Sequence, residues 1–352
     1  MPGGPMRATA VLCIRDEAAF LLDWLAHHRA VGFDHVVICS NGCSDGTDTM
    51  ADRLAEIGGV THIRNNGPYD KGGIQFAGLK LAGKTKAVRQ ADWLMALDID
   101  EYVNIHVGGH RLGDLITALP AASAITLTWR LFGNAGEVAY RDTPVTEMFT
   151  RAAPEIMQWP WRAQMFKTLF RNDGCFRQLG VHRPRGLRED RAEDVHWYDG
   201  AGRTLDLNTH EKRVFSPLGQ SHYDLAQLNH YALGAMESYV LKSARGRAVH
   251  AKQDLGLDYW AERNFNTDID TSIAAVSPEV AQERAALAAD PVLAKLHHDA
   301  VAWRKQRFLE LVEAEPMRAL FGRLLMTPSS TPLGKETAAA LIAHARRGLA
   351  RR

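Results

Sequence analysis

Trp93-Leu94-Met95-Ala96-Leu97-Asp98-Ile99-Asp100-Glu101 is the stretch on which the reading of this chain turns. Five apolar residues in a row are too few for a helix and suit a strand buried on both faces. The acidic residues behind them mark the point where the strand leaves the core. In open α/β sheets ligands gather at the carboxyl ends of the strands, so Asp98 and Asp100 stand where chemistry is expected.

Upstream, the same unit recurs. Ala10 to Ile14, Val36 to Cys39 and Val60 to Ile63 are short apolar runs. Between the first two, Phe20, Leu21, Trp24, Leu25 and His28 fall at helical spacing ahead of Gly32. Thr47 to Ile57 reads as a helix stopped by Gly58-Gly59, and a third helical stretch is expected from about Ile74 to Ala91. Strands separated by helix-length segments predict an α/β fold, a mostly parallel Rossmann-like sheet with helices on both faces. Downstream, Ile125 to Trp129 and Phe166 to Phe170 read as further strands, and residues 183–220 as polar loops. From about Leu225 the pattern is helical throughout, which predicts a C-terminal helical region. The expected division is a main domain at 7–235, a helical region at 236–327, and a linker with a basic helix at 328–352.

With 352 residues and a formal net charge of +1, the chain has no overall field to attract nucleic acid, and no nucleic-acid partner is expected. Four cysteines are too few for a disulfide framework, and Cys39-x-x-x-Cys43 lacks a second Cys or His pair at zinc spacing. No apolar leader follows Met1, and no uncharged apolar run nears the ~18 residues that span a bilayer. The expected location is the cytoplasm.

Three constellations bear on chemistry. Asp98-Ile99-Asp100 can grip one divalent cation, and a hard cation can bridge a diphosphate. A second copy, Asp268-Ile269-Asp270, has no strand before it and reads as a cap or loop contact. Asn41-Gly42-Cys43-Ser44-Asp45-Gly46-Thr47 allows close backbone approach to a ligand, and equally allows a strand-to-helix turn capped by Asp45 or Thr47. Residues 78–85 match the P-loop pattern, but a P-loop joins a strand to a helix, and here Ile74, Ala77, Leu81 and Val88 carry a helical face through the match.

In order along the chain, these pieces resemble the family 2-like glycosyltransferases of GT-A fold, in the bacterial branch, here with a D-I-D-E metal motif. The resemblance rests on Cys13-Ile14-Arg15-Asp16-Glu17, Leu22 to His28, Ile38 to Thr47 and Asp92 to Tyr102. Gly180-Val181-His182-Arg183-Pro184, Asn229-His230-Tyr231 and Lys242 to Gly246 look like later family blocks, so that residues 7 to 275 are covered. Arg15-Asp16 in place of Lys-Asn, and Cys43 inside the D/N-x-S-x-D-G-T frame, depart from the pattern.

The resemblance implies a hexosyltransferase-like enzyme that moves a sugar from a nucleoside-diphosphate sugar, expected to be a UDP-sugar, to a saccharide or glycoconjugate acceptor, with inversion. Arg15, Glu17, Asn41 and Asp45 would hold base and ribose. Asp98 would reach ribose or metal, and Asp100 would bind Mn²⁺ or Mg²⁺ together with His230 or His182. Lys242 and Arg245 would face the diphosphate. An inverting transfer needs a proton acceptor, and Glu189-Asp190 lies at a fitting distance downstream. The competing readings are a nucleotidyltransferase, which favours a glycine-rich loop absent after the first strand, and a non-catalytic sugar-nucleotide-binding protein, which would need no metal aspartates.

The C-terminus lies beyond the resemblance. Arg346, Arg347, Arg351 and Arg352 cluster with no acidic partner after Glu336, which complements the negative end of a helix. They would also give a peripheral contact with an anionic membrane at about 1 kcal/mol per basic residue near the surface. Truncation after Leu333 is predicted to leave transfer to a soluble acceptor unchanged and to weaken co-sedimentation with anionic liposomes. Equal sedimentation of both forms at low salt would remove the membrane contact.

Overall fold

The structure is a computed structural model that describes residues 6–69, 72–206, 213–246 and 255–350. Its centre is a ten-stranded, mostly parallel sheet. Strands β1 (Ala8–Ile14), β2 (His35–Ser40), β3 (Val60–Arg64) and β4 (Trp93–Leu97) run parallel in the order 3-2-1-4. β5 (Glu101–Ile105) follows β4 after a tight turn, and β6 (Ala124–Leu131) continues the sheet. β7 (Phe166–Arg171) is inserted antiparallel between β4 and β6. β8 (Trp197–Asp199) and β9 (Thr204–Leu205) extend the far edge, and β10 (Ala226–His230) pairs with β5 and with the end of β6.

Alternation along β1 explains the helices on both faces. Ala8, Ala10, Leu12 and Ile14 pack with α1 (Ala18–Ala30) and α2 (Thr47–Ile57) in the larger core. Val11 and Cys13 face the opposite way, onto α3 (Gly73–Ala82) and α4 (Lys86–Gln90). After a short α5 (Leu112–Ala118), the C-terminal region supplies α6 (Met236–Arg245), α7 (Ser277–Ala288), α8 (Pro291–Glu313), α9 (Glu315–Met326) and α10 (Lys335–Ala350). α7 and α8 pack directly on α1, and α8 and α9 on α6 around Tyr239, Trp260, Phe308 and Leu324.

Two expectations are corrected. Residues 226–230 form a strand, because Ala226, Leu228 and His230 alternate with Gln227 and Asn229 at period two. The two amides stay buried by pairing with each other and with Asp270 and Tyr231. The stretch 74–91 is two helices, since Thr85 leaves the helix and its hydroxyl caps Val88 N–H. The P-loop match thus runs from the second half of α3 into the turn before α4, and Gly78 is a packing glycine: a Cβ there would meet Cys13 Sγ at 2.9 Å.

α1 also fixes β5. His27 Nε2 donates to Val103 O at 2.8 Å, and Val103 N–H faces His28 Nε2 at 3.5 Å, so the strand's outer edge is satisfied by two side chains. Burial, only partly offset by the Val103 bond, pushes His27 down to about 4, and burial drives His28 well below the usual imidazole range. The unfolded chain therefore binds protons below about 6.5 that the folded chain refuses until about 4. Stability is full above that upper value and drains as the pH falls toward the lower one, by up to about 3 kcal/mol for His27. Denaturant midpoints measured between about pH 7.5 and 4.5 should show this decline, and His27→Gln, whose amide reaches the same carbonyl, should make it shallower, His28 and His182 supplying the remainder. An identical decline in the variant would remove His27 as its source.

Candidate active site

The carboxyl ends of β1, β2 and β4 open into a cleft of ≈ 700 Å³. Arg15, Glu17 and Asn41 line it from the ends of β1 and β2, and Asp98 and Asp100 from the end of β4. His182, His230, Lys242 and Arg245 line it as well, so residues far apart in sequence converge. Its charged lining includes Arg15, Arg162, Lys242, Arg245 and Arg263 against Glu17, Asp98 and Asp100, an excess of cations that suits a polyanionic ligand.

The two aspartates of the first motif have different partners. Asp98 accepts from Gln75 Nε2 and from Lys167 Nζ, both at 2.9 Å. Lys167 is completely buried and also lies 3.4 Å from Glu101 Oε2. Burial opposes the ammonium charge, but Asp98 and Glu101 outweigh it and hold Lys167 above its usual range. Glu101 is buried too; burial pushes its carboxyl up, Lys167 pulls it down, and the donors at both of its oxygens suit the ionised form. Its carboxylate accepts from Asp98 N–H at 2.8 Å and from Trp129 Nε1 at 2.7 Å. Trp24 Nε1 completes the clamp by donating to Asp98 O and Glu101 O.

Asp100 faces α6. Lys242 Nζ donates to its Oδ2 at 2.5 Å and to Ala232 O at 2.7 Å. His230 Nε2 stands 3.8 Å from the same oxygen. Burial works against the charge of Asp100, yet Lys242 and His230 keep its carboxyl well below the usual range. Tyr231 N–H donates to Asp100 O at 2.8 Å, so β10 fixes the backbone of the residue its own His230 faces.

At the other end, Glu17 is shared by two guanidinium groups, Arg245 at 2.6 Å and Arg304 at 3.5 Å. Arg304 comes from α8 and is buried between the rings of Phe20 and Tyr140. Burial lowers it from the usual guanidinium range while Glu17 pulls the other way. Asn41 donates to Asn65 O at 2.9 Å and to Tyr69.

Three expected site residues are not brought to the cleft. Asp45 spends both oxygens on Ala18 N–H, Thr47 N–H and the Thr47 hydroxyl, which holds the start of α1. Glu189 and Asp190 lie in an exposed 3-10 turn, where Asp190 pairs with Arg188. A charged turn of this kind stays in water because nothing in the core would neutralise it. His182 does reach the cleft. Gly180, whose Cβ would meet Arg183 O at 2.1 Å, makes its tight turn, and His182 Nδ1 donates to Phe166 O at 2.9 Å. Burial, with Lys167 close by, pushes His182 down to about 4. The second motif copy is engaged elsewhere: Asp268 and Asp270 pair with Arg130, and Asp270 caps Ser272.

Lys167, Gln75 and Arg304 escaped the sequence reading. For Lys167 the signal was present, a cation inside the apolar strand Phe166 to Phe170. Arg304 sits on a helix among many polar residues and Gln75 on a short apolar one, and nothing local marks either as a site residue.

No protein-family model matches the chain, and no curated protein sequence matches it. Among solved structures it is similar to TarS 1–349 of S. aureus in complex with UDP, at 16% identity and a TM-score of 0.30 over 47% of each chain. It is also similar to the mannosyltransferase PcManGT from Pyrobaculum calidifontis in complex with GDP-Man and Mn²⁺, at 15% identity and a TM-score of 0.33, over 99% of this chain and 88% of that one. A third is a CMP:2-keto-3-deoxy-manno-octonic acid synthetase complexed with CTP, at 13% identity and a TM-score of 0.24, over 47% of this chain and 75% of that one. The chain spans about half the length of the TarS chain it matches. All three likenesses are distant, and the α/β assignment stands on the strand order itself.

Removing the buried ammonium tests the clamp. Lys167→Met is predicted to cost about 3–5 kcal/mol of unfolding free energy, because Glu101 and Asp98 lose their partner. Adding Glu101→Gln should recover much of the loss. Denaturant titration of both variants decides it: a cost under about 1 kcal/mol in the single variant would show that the pair does not hold the turn.

Proposed function

We propose that this protein is a glycosyltransferase taking its sugar from a nucleoside-diphosphate sugar. One observation carries the reading: at the end of β4, Asp100 and His230 stand beside Lys242, with Arg245 on the same cleft wall. Such a set offers oxygen and nitrogen donors for a cation and fixed positive charge for a diphosphate. Arg15, Glu17 and Asn41, at the strand ends beyond, are assigned to the nucleoside, whose base and ribose hydroxyls need polar partners of both kinds. A UDP-sugar remains the expected donor and a saccharide or glycoconjugate the acceptor.

The metal fits in a limited way. Among the described residues no three His, Cys, Asp or Glu side chains converge into a shell. Mg²⁺ and its like, however, are commonly held by one or two carboxylates plus substrate phosphates and water. Asp100 and His230 satisfy that pattern, and Asp98, with both oxygens taken, serves better as the anchor of the turn. When bound, Mn²⁺ or Mg²⁺ would supply electrophilic stabilisation of the leaving diphosphate.

The chain's own groups do the rest. Lys242 and Arg245 neutralise charge that grows on the diphosphate as the anomeric bond breaks. Since Glu189 and Asp190 lie away from the cleft, the proton acceptor is assigned to His182. Its Nδ1–H is committed to Phe166 O, which leaves the Nε2 lone pair to accept; the lowered pKa keeps the ring neutral and makes it a weak base. A nucleotidyltransferase would instead have to hold a triphosphate, and the end of β1 offers Arg15 without a glycine-rich loop.

Thermal denaturation against UDP, GDP and CDP, each with and without Mn²⁺, tests the reading. Ligand at a hundred times its dissociation constant should stabilise the protein by about 2.7 kcal/mol. Asp100→Asn should lose the Mn²⁺-dependent part, and Asp270→Asn should keep it. Loss in both variants alike, or no response to any nucleotide, would sink the assignment.

A further inference from the structure

Asp100 Oδ2 is wanted twice. In the structure it is the acceptor of the Lys242 ammonium at 2.5 Å, and it is also the oxygen nearest His230 Nε2, at 3.8 Å. A divalent ion held between Asp100 and His230 would compete with the ammonium for the same oxygen, and the two cations would repel each other. We propose that Lys242 is the resident counter-cation of Asp100 and a competitor of the metal, so that the metal loads only together with a nucleotide diphosphate. The proposal rests on the glycosyl-transfer reading and adds an order of binding to it.

The surroundings of Lys242 show why the metal alone is opposed. Its side chain is only about a fifth exposed, and Nζ donates at once to Asp100 and to Ala232 O. Arg245 lies one turn further along α6, and Arg263 lines the same cleft. A bare dication would have to push the ammonium off its carboxylate while raising the positive charge of a cleft that already has an excess. A diphosphate reverses the balance. Its oxygens would accept from Lys242 and Arg245 and so release Asp100, which with His230 would then be free to hold the dication. Asp98 is a poor substitute for Asp100, because among the described residues the buried Lys167 pairs with Asp98 and Glu101 alone.

Metal and diphosphate are therefore coupled, and by linkage each raises the affinity of the other by the same factor. Mn²⁺ binding to the full-length protein, followed by the electron-spin resonance of free Mn²⁺, reads that coupling without any turnover. Wild-type protein should bind Mn²⁺ at least ~10-fold more tightly with saturating UDP or GDP than without. Lys242→Met should bind Mn²⁺ without nucleotide ~10-fold more tightly than wild type, whereas Lys242→Arg, which keeps a cation there, should behave as wild type. If wild type and Lys242→Met bind Mn²⁺ alone with equal affinity, the competition is refuted while the metal site survives. If wild type binds Mn²⁺ equally with and without nucleotide, it is refuted without need of a variant. If no form binds Mn²⁺ even with UDP or GDP, the metal part of the functional reading fails and the competition with it.

Discussion

A lysine ammonium with no access to water sits in the middle of the sheet, and the cleft is arranged around the need to neutralise it. Lys167 reaches the level of the β4 carboxyl end from an antiparallel strand, and only carboxylates at that level can answer it. Asp98 and Glu101 do so, which fixes both ends of the turn between β4 and β5. Desolvating Lys167 and Glu101 is costly, and the geometry must be well satisfied to be tolerated. Trp24 and Trp129 donate to the same turn, so the clamp has partners from β6, β7 and α1 together.

One consequence is that two aspartates two residues apart have opposite characters. With its oxygens used by Gln75 and Lys167, Asp98 acts on the backbone as a strut. Asp100, on the far side of the turn, is backed by β10 through Tyr231 N–H and shows its carboxylate to the cleft. A motif that looks symmetric on paper becomes a fixed end and a working end. The asymmetry comes from β7, which lies beside β4 although some seventy residues of chain separate them.

How much of this was legible follows from where the information lies. The parallel half of the sheet was readable because each strand is a short apolar run followed by polar residues, a local pattern. The strand at 226–230 was not, since its polar members Gln227 and Asn229 are made tolerable only by each other, Asp270 and Tyr231. The sequence leaves Asp45 an even choice between ligand and cap; its hydrogen bonds go to Ala18 and Thr47, while Gly46 takes the cap position before α2. Glu189 and Asp190 were picked by distance along the chain. Distance in sequence says nothing about which side of the sheet a loop leaves from, and they remain at the surface. Gln75 and Arg304 depend on the docking of whole helices, which no local pattern encodes.

Arg304 has a bearing on how the protein is made. Glu17 lies just after the first strand, whereas its guanidinium partner Arg304 lies on α8 and is made only after every strand of the sheet. During synthesis the sheet can assemble from its N-terminal strands while Glu17 has no Arg304 to meet. The ion pairs that hold the Glu17 carboxylate are therefore complete only once α8 has been made and has docked on α1.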